Sequence, residues 1–220
     1  MQKLVLILLC LLTFFSGINA QEKGWNRWKS NIERFESADQ KLPPPQGANL
    51  FVGSSSIAKW KDIAHYFPGY TVINRGFGGS TYQDLLFYVD RVIIPYKPAK
   101  VFIYEGDNDI ARGVTSKKIM KRLKRIIKIL KAQLPETEVA IIGVKPSISR
   151  WRLADQYIAL NEQMKNFASR TKKVEFLDVW SPMLDQHGQV FQHIFLKDKL
   201  HMNAEGYEIW KEIIQPSLIK

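Results

Sequence analysis

Five short apolar runs, each rich in β-branched or aromatic residues, constrain this chain more than any other feature. They are ANLFVG (48–53), YTVIN (70–74), AKVFIYE (99–105), TEVAIIGV (137–144) and KVEFLDV (173–179). Each is nearly continuous in apolar character rather than alternating, as strands covered on both faces are. Between them, helical spacing predicts helices near 81–94, 116–133 and 152–170, with a last one near 203–214. In the third, Leu153, Tyr157, Leu160, Met164 and Phe167 step by four and three into one stripe. Thr115 or Ser116 can cap the second helix, and Pro135 marks its end. Strand alternating with helix through right-handed crossovers predicts a five-stranded parallel sheet between helix layers, an α/β/α sandwich.

The amino end predicts the compartment. Residues 1–20 begin with Lys3 as their one charge, run through an apolar core from Leu4 to Phe15 and finish in SGINA. This is the pattern of a secretory signal peptide cut after Ala20, so a secreted or periplasmic protein is expected. The polar break at 16–19 leaves the apolar stretch short of the about 20 residues a membrane span needs, and no stable membrane insertion is expected after cleavage. Cys10, the only cysteine, leaves with the leader, so the mature domain must rest on its core without disulfides. Residues 21–47 read as a helix over 25–39 and a connector stiffened by Pro43, Pro44 and Pro45; residues 48–220 read as one α/β domain.

Losing Lys3 lowers the formal net charge from +11 to +10, and much of the excess lies in KKIMKRLKRIIKILK (117–131). There Ile119, Met120, Leu123, Ile126, Ile127 and Leu130 recur at helical spacing and the basic residues fill the other face, as on a helix packed against a sheet. No zinc-ligand, helix-turn-helix or RNA-binding signature accompanies the charge, and no nucleic-acid partner is expected.

In an open parallel sheet, chemistry collects at the carboxyl ends of the strands. After the first run comes Gly53-Ser54-Ser55-Ser56, after the second Asn74 to Ser80, and after the third Glu105-Gly106-Asp107-Asn108-Asp109; Asp198-Lys199-Leu200-His201 precedes the last helix. Singly these are turn residues, tight glycines and caps. Together they supply a hydroxyl, a base with a nearby carboxylate, and candidate oxyanion donors, the parts that a serine nucleophile needs. An α/β-hydrolase elbow is excluded because Ile57 stands where the second glycine of Gly-x-Ser-x-Gly belongs. The glycines at 76, 78 and 79 match no dinucleotide or phosphate-loop fingerprint, and His65, His187, His193 and His201 lack metal-ligand spacing. No metal and no cofactor are expected.

These residues resemble the SGNH or GDSL hydrolases, particularly members similar to platelet-activating-factor acetylhydrolase subunits and bacterial esterases. FVGSSSIAKW resembles the first block of that family, INRGFGGS the second, EGDNDI the third (Gly-x-Asn-Asp), and DKLH the fifth (Asp-x-x-His), over roughly Ala48 to Tyr207. The resemblance implies a flavodoxin-like fold and a serine esterase without cofactors. It implies Ser55 as nucleophile, His201 as base and Asp198 as its orienting partner, with Ser55, Gly79 and Asn108 forming the oxyanion hole. One position departs from it: Ser54 stands where the family most often has aspartate, which bears on the hydrogen bonds that fix the turn.

The alcohol part of the substrate is read from the same loops. Trp60, Phe77, Tyr82, Arg150 and Trp151 could stack on a sugar and hold its hydroxyls, with packing as the other reading for Trp60 and Trp151. The short segments between blocks leave no room for a lid over a long chain. The expected substrate is therefore a small-molecule or saccharide ester with a short, acetyl-sized acyl group. The alternatives are a lysophospholipase or thioesterase-type lipase of the same family, and a non-catalytic carbohydrate-binding protein on this fold.

Overall fold

The computed structural model describes residues 26–220, so the leader expected at 1–20 lies outside the described residues. The chain divides into two compact units between Leu42 and Pro43. In the first, residues 26–41 form one helix, α1, steadied by the i,i+4 pair Lys29–Glu33.

The second unit, Pro43–Lys220, holds a five-stranded, wholly parallel sheet. Its strands are β1 (Asn49–Gly53), β2 (Val72–Gly76), β3 (Lys100–Tyr104), β4 (Glu138–Ile142) and β5 (Val174–Leu177), in the spatial order β2-β1-β3-β4-β5. Each strand overlaps its predicted run; β2 begins two residues later than YTVIN because Tyr70 and Thr71 precede its pairing with β1. This is the flavodoxin-like order, with its reversal of direction at β1. β1 connects to β2 through the short helices α2 (Ser55–Ala58) and α3 (Ile63–Tyr66). The chain then turns back past β1 through α4 (Tyr82–Val92), and goes on through α5 (Asp107–Ala111) with α6 (Ser116–Gln133), and α7 (Ala154–Ala168), before α8 (Ala204–Ile214) closes it. Right-handed crossovers in opposite directions put α2 and α3 on one face and α4, α6 and α7 on the other.

The two faces differ in chemistry because side chains alternate along each strand. Phe51, Phe102, Tyr104, Ala140 and Ile142 point into one cluster with Trp60, Phe67, Tyr207 and Trp210, and all of these are buried. Phe51 stacks on Phe102 with ring centroids 4.4 Å apart, and Trp60 stacks on Tyr207 at 4.8 Å. Leu50, Val52, Val101, Ile103, Val139 and Ile141 alternate with that set and are also buried. The six apolar residues predicted to line the basic helix, α6, are buried as well, while Lys117, Lys121, Lys124, Arg125 and Lys128 stay exposed.

At the carboxyl edge the fold sets one sharp condition. Gly53 has φ +139°, and a Cβ there would run into the carbonyl of Tyr104 on β3, so only glycine lets the chain leave the sheet here. α2 begins two residues later. Trp60, just beyond it, is the hub of the aromatic cluster. Trp60→Ala is expected to cost about 3–5 kcal/mol of stability, read as a lowered denaturant midpoint; a loss below about 1 kcal/mol would show that the cluster does not hold this face.

Candidate active site

α2 carries Ser55 as its first residue and is gripped from three directions. Asn74 in the middle of β2 donates its Nδ2 to the carbonyls of Ile57 (2.8 Å) and Trp60 (3.0 Å), while its Oδ1 accepts the Gly76 amide at 2.9 Å. A Cβ on Gly76 would stand 2.5 Å from the Ala58 nitrogen, so β2 and α2 touch backbone to backbone. From the far side, the Tyr207 hydroxyl of α8 donates to the Ser56 carbonyl at 2.9 Å. The turn that Ser54 opens is therefore held by the Asn74 and Tyr207 side chains and by its own amide, which donates to the Tyr104 carbonyl at 3.1 Å. The Ser54 hydroxyl, where the family pattern has a carboxylate, is buried without a protein hydrogen-bond partner.

The structure brings Ser55, His201 and Asp198 together across the sheet edge. His201 Nε2 lies 3.0 Å from Ser55 Oγ, and His201 Nδ1 lies 2.6 Å from Asp198 Oδ2. The other carboxylate oxygen of Asp198 accepts the amides of Leu200 (3.0 Å) and His201 (2.9 Å). Partial desolvation pushes the Asp198 carboxyl up. The His201 ring and the two amides outweigh it and hold the group well below the usual carboxylate range, so it is ionised throughout the working pH range. With Nδ1 facing a carboxylate, the tautomer that satisfies the pair leaves Nε2 to accept from the serine.

The other half of the site comes from the turns after β2 and β3. Gly79 has φ +80°, and its carbonyl accepts from Arg112 Nη2 at 2.7 Å. A Cβ on Gly78 would stand 3.8 Å from that of Ser55, so this turn runs beside the candidate nucleophile. Asn108, on α5, donates Nδ2 to the Ser80 carbonyl at 3.0 Å and accepts Arg150 Nη2 on Oδ1 at 3.1 Å. Those two partners fix which way the carboxamide faces. Arg150 also lies 3.2 Å from Asp107, so its guanidinium is held within the protein.

The five residues expected to meet the alcohol part separate accordingly. Trp60, Phe77 and Tyr82 have no exposed surface and cannot contact a ligand, which corrects the expectation for all three. They pack inward because Phe77 directly follows β2, Tyr82 opens α4 and Trp60 stands just past α2, all close against the sheet, a placement that loop position alone does not reveal. Arg150 faces Asn108 and Asp107. Trp151 is 37% exposed and stacks on Trp180 with centroids 5.9 Å apart.

Lys145 was not singled out from the sequence, although it directly follows the β4 run. It is buried, and its Nζ donates to the Leu200 carbonyl at 2.6 Å, inside the turn that carries Asp198 and His201. The Ser149 amide donates to Lys199 of the same turn at 3.1 Å, so the segment after β4 joins both halves of the site. Among the described residues, no three His, Cys, Asp or Glu side chains come together as a metal site.

Comparison with known proteins agrees with this architecture. A model of the GDSL-like lipase/acylhydrolase family matches residues 47–209. The chain is 23% identical over 193 residues to the platelet-activating factor acetylhydrolase IB subunit alpha2 of Gallus gallus, covering 84% of this chain and 80% of that one. A Streptococcus pneumonia protein assigned as a platelet activating factor superposes with a TM-score of 0.79 at 22% identity, over 93% of this chain and 99% of that one. A GDSL-like lipase from Bacteroides thetaiotaomicron gives 0.71 at 22% identity, over 85% and 96%. An acetylxylan esterase from Geobacillus stearothermophilus gives 0.65 at 16% identity, over 79% and 94%. At these identities the structural likenesses are likenesses of fold.

Burial pushes the Lys145 ammonium down to about 8. With a folded pKa below the unfolded one, the unfolded chain binds more protons between pH 8 and 10, so stability is expected to rise with pH across that window. Denaturant midpoints at pH 7.5, 8.5 and 9.5 check this: the rise should vanish in Lys145→Met, and a parent that loses stability from 8 to 9.5 would contradict it.

Proposed function

Because the chain belongs to the family of GDSL-like lipases and acylhydrolases, enzymes of ester hydrolysis, we propose that it is an exported serine esterase acting on short acyl esters of a polar alcohol. The observation that carries this is the line of short contacts from Asp198 through His201 to Ser55, 2.6 Å and 3.0 Å. In the proposed reaction His201 Nε2 takes the proton from Ser55 Oγ as that oxygen attacks the ester carbonyl, and Asp198 steadies the imidazolium through Nδ1. The oxyanion meets the amides of Ser55 and Gly79 and the Asn108 carboxamide, each donor being worth about 3 kcal/mol in such sites. Collapse expels the alcohol with the proton from His201. Water, deprotonated by His201, then releases the acid from the acyl-serine.

Short acyl groups are supported by the connections around the site. The turns at 53–55, 76–81 and 104–107 pass almost directly from strand to helix and supply no lid or long apolar trough, which a long chain would need to gain about 0.8 kcal/mol per buried CH₂. A polar or saccharide alcohol is supported by the groove that starts at Trp151, one residue from Arg150, and continues along Trp180, Arg152, Asp155 and Ile158. Stacked indoles flanked by a cation and a carboxylate, Arg152 and Asp155, suit a sugar face and its hydroxyls. The acetylxylan esterase that shares the fold fits the same chemistry. Export is supported by the leader pattern of residues 1–20.

Ser55→Ala is expected to abolish turnover of p-nitrophenyl acetate, whereas Ser54→Ala and Ser56→Ala retain it; equal loss in all three folded proteins would move the nucleophile elsewhere. Asn108→Ala should lower kcat about 100-fold with little change in KM, since its amide meets charge that exists mainly in the transition state. Among acetyl, butyryl, octanoyl and palmitoyl esters of one alcohol, kcat/KM should peak at acetyl or butyryl, and a maximum at octanoyl or longer would favour the lipase reading.

A further inference from the structure

Glu105 is a buried carboxyl for which the reaction above has no use. It stands just after β3 with no exposed surface, and among the described residues no cation forms an ion pair with it. Ser80 Oγ donates to its Oε1 at 2.5 Å, and its Oε2 is buried with no hydrogen-bond partner among the described residues. The charged groups that bear most on it are acidic. Asp107 and Asp109 lie on α5 and Asp84 on α4, and the buried hydroxyl of Tyr82 is close enough to Glu105 to couple with it. Asp107 and Asp109 each face an arginine, Arg150 and Arg122, and Asp84 accepts the Thr81 amide and hydroxyl.

Its single bond falls on the residue that also receives Asn108. Ser80 takes the Asn108 carboxamide on its backbone carbonyl and gives its hydroxyl to Glu105. Glu105 and Asn108 are three residues apart on one rigid strand-to-helix turn, so these two bonds tie the Gly79-Ser80 turn to that segment at two points. One bond fixes a distance, whereas two also fix the turn's orientation, and with it the direction in which the Gly79 amide points. We propose that Glu105 is a positioning residue of the esterase, locking the Gly79-Ser80 turn onto the β3–α5 segment so that the Gly79 amide and the Asn108 carboxamide converge on one point. The proposal rests on the oxyanion role given to Gly79 and Asn108 above.

Two further observations support it. Burial pushes the Glu105 carboxyl well above the ordinary carboxylate range, and Asp109, Asp107 and Asp84 add to that push against the opposing bond from Ser80, which favours the uncharged acid here relative to water. Burying such a group costs stability that an apolar side chain in its place would not. Its position also stands beside the one departure from the family pattern. Gly53 pairs with Tyr104 in the sheet register, so Ser54 and Glu105 take the next positions on β1 and β3. The carboxyl at this corner is thus carried by β3, next to the place where β1 has Ser54.

The test uses the purified parent with Glu105→Ala, Glu105→Gln and Ser80→Ala, assayed on p-nitrophenyl acetate beside Ser55→Ala and Asn108→Ala. Glu105→Ala should lower kcat about tenfold or more with KM changed less than about twofold, as expected when donors are misplaced by a fraction of an ångström. Glu105→Gln, which keeps an uncharged acceptor for Ser80, should recover kcat to within about threefold of the parent. Ser80→Ala, which removes only the hydroxyl, should show the kcat loss of Glu105→Ala, and it carries the test if Glu105→Ala does not fold. In an Asn108→Ala background, Glu105→Ala should cost less than in the parent. Parental kcat in Ser80→Ala, a loss that glutamine does not recover, or full additivity with Asn108→Ala would overturn the proposal while leaving the esterase reading intact. Turnover by Ser55→Ala or Asn108→Ala at the parental rate would overturn both.

Discussion

Asn74 holds the helix that starts at Ser55 by the Ile57 carbonyl and the residue just beyond it by the Trp60 carbonyl, while its own oxygen takes the amide of Gly76, so β2 and α2 are tied together. This is possible because β2 carries glycine where α2 comes closest, and because β1 carries glycine where the chain leaves the sheet over Tyr104. A serine on so short a helix would otherwise have little to fix it, since four residues barely close a turn. The order reversal at β1 leaves an open corner at this point, and the turns after β2 and β3 and the turn before α8 all reach it.

The charges around that corner are arranged by burial. Asp198 is half exposed, at 48% of its side chain, and stays ionised because the His201 ring and two amides outweigh its partial desolvation. Deeper down, Asp107 is matched by Arg150 and Asp109 by Arg122, although burial still pushes Asp109 up to about 6. Lys145 bonds a carbonyl in the His201 turn, and Arg150 bonds the carboxamide of Asn108, so a single segment after β4 steadies both sides. Asp198 thus sits near solvent, His201, Ser55 and Gly79 are partly buried, and the Asn108 carboxamide is buried, where a fixed dipole acts more strongly.

The sheet was legible in the sequence because strands buried on both faces leave nearly continuous apolar runs, and the long helices because their stripes recur at helical spacing. α2, α3 and α5 were not, since four or five residues carry no periodicity to read. Ser55, His201 and Asp198 could be picked out because their blocks resemble a family pattern, and the fold brings those three side chains within hydrogen-bond reach. The aromatic residues of the same loops misled: Trp60, Phe77 and Tyr82 sit in loops or at a helix start by sequence, yet the turns are so short that their side chains fold back into the core. Lys145 and Glu105 gave no warning either. A lone lysine or glutamate at the end of an apolar run reads as the first exposed residue, and only the closure of neighbouring turns over it makes it buried.

The central claim is that Ser55 is activated through His201 to attack an acyl carbon, and it is tested most directly by covalent trapping. The purified protein is treated with a fluorophosphonate and digested, and the fragment spectra of the peptide spanning residues 54–56 locate the adduct. One phosphonyl group on Ser55, lost in His201→Ala, with ester turnover falling in proportion to labelling, is the predicted result. An adduct on Ser54 or Ser56, or full ester turnover by protein that Ser55 labelling has saturated, would contradict it.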